Sequence, residues 1–128
     1  MKVIVAGSRG IVNYQLVCMV IDNSGFSISE IISGDAIGVD QLGERYAKEN
    51  NIKLTIFPAN WELYPNSAGM LRNAEMARYG EALIAIWDEV SNGTRNMIKV
   101  MRKMDKPVYV YSTKYKSIME FKHVRKLF

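Results

Sequence analysis

The chain has 128 residues, of which 48% are hydrophobic and 23% charged, so it fits one globular domain with a core of its own. With 9 Gly and 3 Pro, the composition excludes a disordered or collagen-like chain. The 17 Lys and Arg residues outnumber the 13 Asp and Glu residues, which gives a net charge of +4. All of this excess belongs to residues 112–128, while residues 1–111 are neutral. A neutral body argues against a domain that binds nucleic acid over a basic face.

Signals for targeting and for metal binding are sparse. The amino-terminal apolar run, Val3–Ala6, is too short for the core of a signal peptide. No apolar stretch reaches the roughly 18 residues that a transmembrane helix needs, so we expect a cytoplasmic protein without membrane contact. Cys18 is the single cysteine and His123 the single histidine. They exclude an intrachain disulfide and a cysteine-based zinc site, and we expect neither a metal ion nor a cofactor.

The first half of the chain alternates apolar runs with helical periodicity. Uninterrupted apolar runs predict buried strands over Val3–Ala6, Glu30–Ser33 and Lys53–Phe57. Between them, the spacing of apolar residues predicts helices over Tyr14–Ser24 and Val39–Asn50. Each predicted helix joins one strand to the next, as in a βαβ unit with parallel strands.

The second half continues the same alternation. It predicts a helix over Ser67–Tyr79, a strand over Ala82–Trp87, a helix over Thr94–Met104 and a strand over Pro107–Tyr111. The whole pattern predicts a Rossmann-like α/β domain over residues 1–111. In this domain a doubly wound sheet of about five mainly parallel strands carries helices on both faces.

A basic extension, residues 112–128, follows the predicted sheet. Its apolar residues Ile118, Phe121, Val124 and Phe128 recur at a spacing that favours an amphipathic helix. The apolar face of this helix would pack on the domain or on a second subunit, so we expect a homo-oligomer. The alternative is that its basic side chains bind nucleic acid, which the neutral body of the chain disfavours.

Small and polar residues follow the first predicted strand, at the edge of the sheet where open parallel sheets bind ligands. They are Gly7, Ser8 and Arg9. Small residues let backbone N–H groups approach a phosphate, Ser8 can donate a hydrogen bond, and Arg9 can form a bidentate pair. The alternative is an ordinary tight turn with an exposed arginine.

The second turn contains Gly34, Asp35, Gly38 and Asp40 and leads directly into a helix. Glycines permit close backbone approach, and the start of a helix favours a bound anion. Asp40 would repel a phosphate placed directly on it, so it either caps the helix or accepts a hydrogen bond from a ribose hydroxyl. The spacing matches neither the dinucleotide fingerprint nor a Walker A loop.

The third predicted helix presents Arg72, Asn73 and Met76 on neighbouring positions of one face, and Trp61 lies in the loop before it. Arg72 either binds a ligand or pairs with Glu75. Trp61 either stacks on a base or covers an edge of the core.

The fourth turn contains Asp88, Ser91, Gly93, Thr94 and Arg95. It places a small residue, a hydroxyl and a guanidinium at the start of a helix, as the first turn does after its strand. Because the carboxyl ends of parallel strands meet at one edge, this recurrence indicates a single anion site.

Four motifs therefore occur in order along residues 1–111: Gly7-Ser8-Arg9, Ser33-Gly34-x-Ala36-x-Gly38-Val39-Asp40, Ala68-Gly69-x-x-Arg72-Asn73-x-x-Met76 and Ser91-x-Gly93-Thr94-Arg95. Together they resemble the SLOG superfamily, and most closely its small stand-alone branch related to YspA and YpsA. The resemblance implies a Rossmann-like fold that binds a nucleotide or a nucleotide-derived molecule at the carboxyl ends of the strands. It also implies that the ligand contacts are Ser8, Arg9, Gly34, Arg72, Asn73, Gly93 and Thr94.

One departure from the family concerns catalysis. The phosphoribohydrolases of the superfamily carry a catalytic Glu at the position of Met97, and methionine cannot act as a general base. We therefore expect a binding protein that senses or sequesters an ADP-ribose-like or cyclic nucleotide signal. The alternative is a nucleotide hydrolase that cleaves an N-glycosidic or phosphate bond, with Asp35, Asp40 and Asp88 as its candidate carboxylates.

Overall fold

A computed structural model describes residues 1–122, which form one six-stranded sheet flanked by four helices. The elements in chain order are β1 (Lys2–Gly7), α1 (Tyr14–Asn23), β2 (Glu30–Ser33), α2 (Val39–Glu49), β3 (Lys53–Ile56), α3 (Ala68–Tyr79), β4 (Ala82–Trp87), α4 (Asn92–Lys103), β5 (Val108–Ser112) and β6 (Ser117–Lys122). The predicted strands and helices up to β5 are confirmed, with shifts of one or two residues at their ends. In this part of the chain, no helix is both long enough and apolar enough to cross a membrane.

The strand order across the sheet is β3-β2-β1-β4-β5-β6. The strands from β3 to β5 are parallel to their neighbours, while β6 is antiparallel to β5. The chain adds β2 and β3 on one side of β1 and then β4 and β5 on the other side. The segments that follow β1 and β4 therefore diverge and leave a crevice at the carboxyl ends of these strands. This arrangement confirms the predicted Rossmann-like α/β fold.

Neighbouring residues of β1 point into two different cores. Val3 and Val5 pack with residues of α1 and α2, among them Val17. Ile4 packs with residues of α3 and α4, among them Met76. Because helices cover both faces, the central strands are apolar without alternation, which is why uninterrupted apolar runs predicted them correctly.

The predicted carboxyl-terminal helix is wrong for Ser117–Lys122, which form strand β6 instead. A turn that includes Lys116, at φ 53°, reverses the chain after β5. The pairing then places Ile118 opposite Tyr111 and Glu120 opposite Val110, with an irregularity between the two pairs. This irregularity breaks the two-residue alternation by which a strand is recognised in sequence. The other apolar positions used for the prediction, Val124 and Phe128, lie outside the described residues.

Candidate functional site

A cavity of about 590 Å³ opens at the carboxyl ends of β1 and β4, where residues of α3 and α4 contribute to its walls. All four segments that the sequence singled out contribute to it. The predicted ligand residues that line it are Gly7, Arg9, Asp40, Trp61, Arg72, Asn73, Met76, Ser91, Gly93 and Thr94. The topology therefore brings together most of the predicted residues from distant parts of the chain.

Two guanidinium groups border the cavity. Nη1 of Arg72 donates to the carbonyl oxygen of Gly34 over 2.6 Å, and its Nε donates to Oδ1 of Asn73 over 3.1 Å. Burial lowers the pKa of Arg72, Asp40 opposes this effect, and the positive charge of Arg9 lowers the pKa further. Arg9 is exposed and forms no hydrogen bond or ion pair within residues 1–122. Arg72 makes no ion pair with Glu75 in that range, so the alternative that Arg72 pairs with Glu75 is wrong.

Asp40 places a buried carboxyl group beside these cations. It is 5% exposed, its Oδ2 accepts a hydrogen bond from the backbone N–H of Ala36 over 3.2 Å, and the backbone N–H of Gly7 lowers the pKa of the same carboxyl group. Burial raises the pKa of Asp40 to about 6, against the lowering effects of these N–H groups and of Arg72. The carboxylate of Asp40 thus holds the turn before α2 through the N–H of Ala36.

Gly34 permits the close approach of Arg72 and Asp40. A Cβ at this position would lie 2.5 Å from Nη1 of Arg72 and 3.0 Å from Oδ2 of Asp40. Gly38 has a different requirement, because its φ of 86° and its contact with the carbonyl oxygen of Ser8 exclude a side chain. Neither glycine lines the cavity; both shape the turn that leads to Asp40.

The start of α4 supplies backbone donors. The first hydrogen bond within this helix runs from the N–H of Arg95 to the carbonyl oxygen of Ser91, over 3.2 Å. The N–H groups of Asn92, Gly93 and Thr94 precede this bond, and these three residues line the cavity. Ser91 makes no side-chain hydrogen bond that caps the helix. The positive end of the helix dipole therefore faces the same space as Arg9.

The remaining wall is largely apolar. Met76 and Met97 are each 1% exposed and contribute their side chains from α3 and α4. Trp61 and Met70 are exposed at the rim, and the Trp61 ring packs against Gly69. The cavity thus combines cations with an apolar surface.

The structure places five other predicted residues away from the lining. Ser8 is 1% exposed, and its Oγ accepts a hydrogen bond from the backbone N–H of Asp88 over 2.9 Å. Gly34 and Gly38 lie behind the charged groups, as described above. Asp35 is exposed at φ 61° and lines a separate groove on α2. Arg95 lies over the ring of Trp87, with Cζ 5.4 Å from its centre.

Asp88 also lies outside the lining. Its Oδ1 accepts hydrogen bonds from the backbone N–H groups of Val90 and Ser91, each over 2.8 Å. Burial opposes its ionisation, but the hydrogen bonds from Ser91 and Val90 outweigh burial and lower the pKa of Asp88. This carboxylate holds the turn before α4.

Several lining residues were missed by sequence reasoning. They are Ala6, Gly10, Asn66, Met70, Asn92 and Asn96, together with Ala36, Gly69 and Met97, which were named with the family motifs but not as ligand contacts. Asn92 and Asn96 are four residues apart and share one face of α4, so helical spacing could have linked them to the motif. Within residues 1–122, no group of three or more His, Cys, Asp or Glu side chains is arranged to hold a metal ion.

Two similarities to known proteins bear on the family of the chain. The model of a family described as the YspA, cpYpsA-related SLOG family matches residues 1–64, which is half of the chain and includes Arg9 and Asp40. The chain is also similar to the Gene 61 protein of Mycobacterium phage D29, with 31% identity over 90 residues. That alignment covers 66% of this chain and 72% of the phage protein. No solved structure matches the chain.

Proposed function

Because the chain belongs to the YspA, cpYpsA-related SLOG family, we propose that it binds a nucleotide or a nucleotide-derived molecule in the cavity at the carboxyl ends of β1 and β4. The ligand class that we propose is an ADP-ribose-like or cyclic nucleotide signal, which the protein senses or sequesters in the cytoplasm. The cavity volume of about 590 Å³ lies within the range of roughly 300–1,000 Å³ that small-molecule sites occupy.

The convergence of Arg9 and Arg72 carries this proposal. Two like charges at one cavity repel each other, and Asp40 compensates only one of them. A bound phosphate would supply the missing negative charge, and guanidinium groups match its geometry through paired N–H donors. The first N–H groups of α4 add further donors at the same place.

The apolar wall supports a ligand that is more than a phosphate. Trp61, Met70, Met76 and Met97 provide surface on which a base or a sugar can pack. Met97 also argues for binding without hydrolysis, because it contributes neither a proton acceptor nor a charge.

A second candidate function, nucleotide hydrolysis, is favoured by one observation. Asp40 lines the cavity, and burial raises its pKa to about 6, which suits a general acid or base near neutral pH. Asp35 and Asp88 have no such place, because neither lines the cavity. Incubation with AMP or ADP-ribose, followed by chromatography, tests this candidate. Release of base or phosphate that Asp40→Asn abolishes would favour the hydrolase over the binding protein.

The binding proposal is tested by thermal unfolding and calorimetry with AMP, ADP-ribose and cyclic AMP. A ligand at a hundred times its Kd stabilises the folded state by about 2.7 kcal/mol, which raises Tm by several degrees. Mass spectrometry of small molecules released from the purified protein extends the search beyond these three compounds.

Arg9→Ala and Arg72→Ala should each abolish the stabilisation by a bound nucleotide. Arg78→Ala is the matched control, because Arg78 is exposed in the last turn of α3 and does not line the cavity. Arg9→Ala should leave Tm without ligand almost unchanged, since Arg9 is exposed and forms no hydrogen bond within the described chain. An unchanged response to ligand in both cavity variants would exclude the proposed site.

A further inference from the structure

Three side chains form a continuous hydrogen-bonded chain from α3 to α4 along the wall of the cavity. Nε of Arg72 donates to Oδ1 of Asn73 over 3.1 Å. Nδ2 of Asn73 donates to the carbonyl oxygen of Gly93 over 3.2 Å and to Oδ1 of Asn96 over 2.9 Å. Asn73 is 6% exposed, so this chain is buried at its centre.

The orientation of the Asn73 amide is determined from both sides. A guanidinium only donates hydrogen bonds and a backbone carbonyl only accepts them. A reversed Asn73 amide would set its NH₂ group against Arg72 and its oxygen against the carbonyl of Gly93. The Asn73 NH₂ group must therefore point towards α4, and the group that receives its second hydrogen must be the oxygen of Asn96.

This order leaves the NH₂ group of Asn96 as the free end of the chain. Asn96 lines the cavity, and its Nδ2 has no hydrogen-bond partner within residues 1–122. In the same residues, no side-chain nitrogen or oxygen atom is both fully buried and without a partner, so this NH₂ group retains access to solvent. Two oriented N–H donors are therefore available beside Met97 and the start of α4.

We propose that Asn96 is a ligand-binding residue that donates a hydrogen bond to an uncharged oxygen or nitrogen atom of a phosphorylated nucleoside. The proposal rests on the proposed function. Gly93 and Asn96 are three residues apart, which is about 4.5 Å along the helix. A phosphate at the start of α4 would leave Asn96 beside the next part of the ligand, which is either a ribose oxygen or an acceptor on the base.

The role of Asn96 is tested by calorimetry with three probes, inorganic phosphate, ribose 5-phosphate and AMP, on wild type and Asn96→Ala. We expect the affinity for AMP to fall by about fivefold to tenfold and the affinity for inorganic phosphate to change less than twofold. A parallel loss for ribose 5-phosphate assigns the acceptor to the ribose, and a loss for AMP alone assigns it to the base. Unchanged AMP affinity, or an equal loss for inorganic phosphate, would overturn the proposal.

Asn96→Asp removes the N–H donor of this side chain but keeps an oxygen that can accept the hydrogen bond from Asn73. Its carboxylate still accepts from Asn73 but has no N–H to donate and adds a negative charge. We expect a larger loss of AMP affinity than in Asn96→Ala, on the order of a hundredfold, with Tm without ligand close to that of wild type. An AMP affinity equal to that of wild type would show that Asn96 acts as an acceptor or makes no contact.

A measurement without ligand distinguishes failure of this proposal from failure of the proposed function. Side-chain amide hydrogen exchange by NMR should show slow exchange for the NH₂ protons of Asn73 and fast exchange for those of Asn96. Protected Asn96 protons together with unprotected Asn73 protons would overturn the orientation, whatever the probes show. If none of the probes binds to wild type, the proposed function fails for these compounds, and the exchange pattern still decides the orientation of Asn96.

Discussion

Asp40 shows how one buried carboxyl group links the stability of the fold to the charge of the cavity. Burial outweighs the effects of Arg72 and of two backbone N–H groups, and the pKa is about 6 against an ordinary value of 3.8. Glu44, which is also buried, raises the pKa of Asp40 as well. The protein keeps this carboxylate although its ionisation is unfavourable, which is expected of a residue at a binding site.

We predict that Asp40→Asn changes the pH dependence of stability. Between about pH 4 and pH 6 the folded state holds a proton that the unfolded state has released. The free energy of unfolding of the wild type therefore falls as pH rises through this range and then levels off. The ionisation of Asp40 lowers the free energy of unfolding of the wild type by about 3 kcal/mol over this range. Asp40→Asn has no carboxyl group to ionise at this position, so its free energy of unfolding does not fall in this way. The stability of the variant therefore rises relative to that of the wild type between pH 4 and pH 7.

Urea unfolding at several pH values measures this difference. Glu75→Gln is the matched control, because it removes a carboxylate that is exposed on α3. The prediction fails if the stability difference between Asp40→Asn and wild type is the same at pH 4 and pH 7.

At the scale of elements, the site depends on ties between the turns that follow β1 and β4. The backbone N–H of Ser8 donates to the carbonyl oxygen of Ile86 over 3.1 Å, and its Oγ accepts from the N–H of Asp88 over 2.9 Å. The carboxylate of Asp88 in turn accepts hydrogen bonds from two backbone N–H groups of the turn before α4. The position of the helix start thus depends on Ser8 through Asp88.

We predict that Ser8→Ala lowers stability more than it lowers ligand affinity. The variant leaves the partly buried N–H of Asp88 without its partner, which costs about 1–2 kcal/mol in the free energy of unfolding. Affinity for a bound nucleotide should fall less than threefold, because Ser8 does not line the cavity. Chemical denaturation and calorimetry on the same variant give both values.

A variant at an exposed serine is the control for Ser8→Ala. Ser67 precedes α3 and its side chain makes no capping hydrogen bond, so Ser67→Ala should be close to neutral. If Ser8→Ala loses affinity by tenfold or more while its stability is unchanged, Ser8 contacts the ligand directly, as the family resemblance implied.

At the scale of the whole molecule, the sequence predicted what depends on local residues and missed what depends on distant contacts. The central strands and their helices are predictable because apolar runs and helical spacing are local patterns. Strand β6 depends on pairing with β5, and its irregular register hides the alternation. It extends the sheet of residues 1–111, and Glu120 in it forms an ion pair with Arg102 of α4.

The same distinction holds for the candidate site. Arg9 and Asp40 could be predicted because the turns that follow parallel strands meet at one edge. Arg72 lies in α3 and was predicted from its helix face and from the family resemblance. The inward orientation of Ser8 could not, because it depends on a partner 80 residues away along the chain. Arg95 carries the same chemistry as Arg9, but it donates hydrogen bonds to Asn92 and to the carbonyl oxygen of Glu89 and does not line the cavity.

The distribution of charge leads to a prediction about the tail. Lys122, the last residue of β6, pairs with Val108 at the beginning of β5, so β6 ends at the end of the sheet opposite the cavity. The length of β5 alone separates the two edges by about 13 Å, which exceeds the screening length of about 8 Å at physiological salt. Arg125→Ala combined with Lys126→Ala lowers the net charge from +4 to +2. This double variant should change the AMP affinity less than twofold, whereas Arg72→Ala should abolish it.

Calorimetry with AMP tests whether the charges of the tail affect binding in the cavity. A gel-shift assay with single-stranded DNA, at low and physiological salt, tests whether the tail binds nucleic acid. We expect weak DNA binding in both proteins, because residues 1–111 are neutral as a whole. Tight binding of DNA by the wild type, with a steep salt dependence that the double variant reduces, would assign a nucleic-acid function to the tail. Loss of AMP affinity in the double variant would instead show that the tail takes part in the cavity. If neither occurs, the +4 net charge has no part in recognition, and the anion is bound by arginines of a body without net charge.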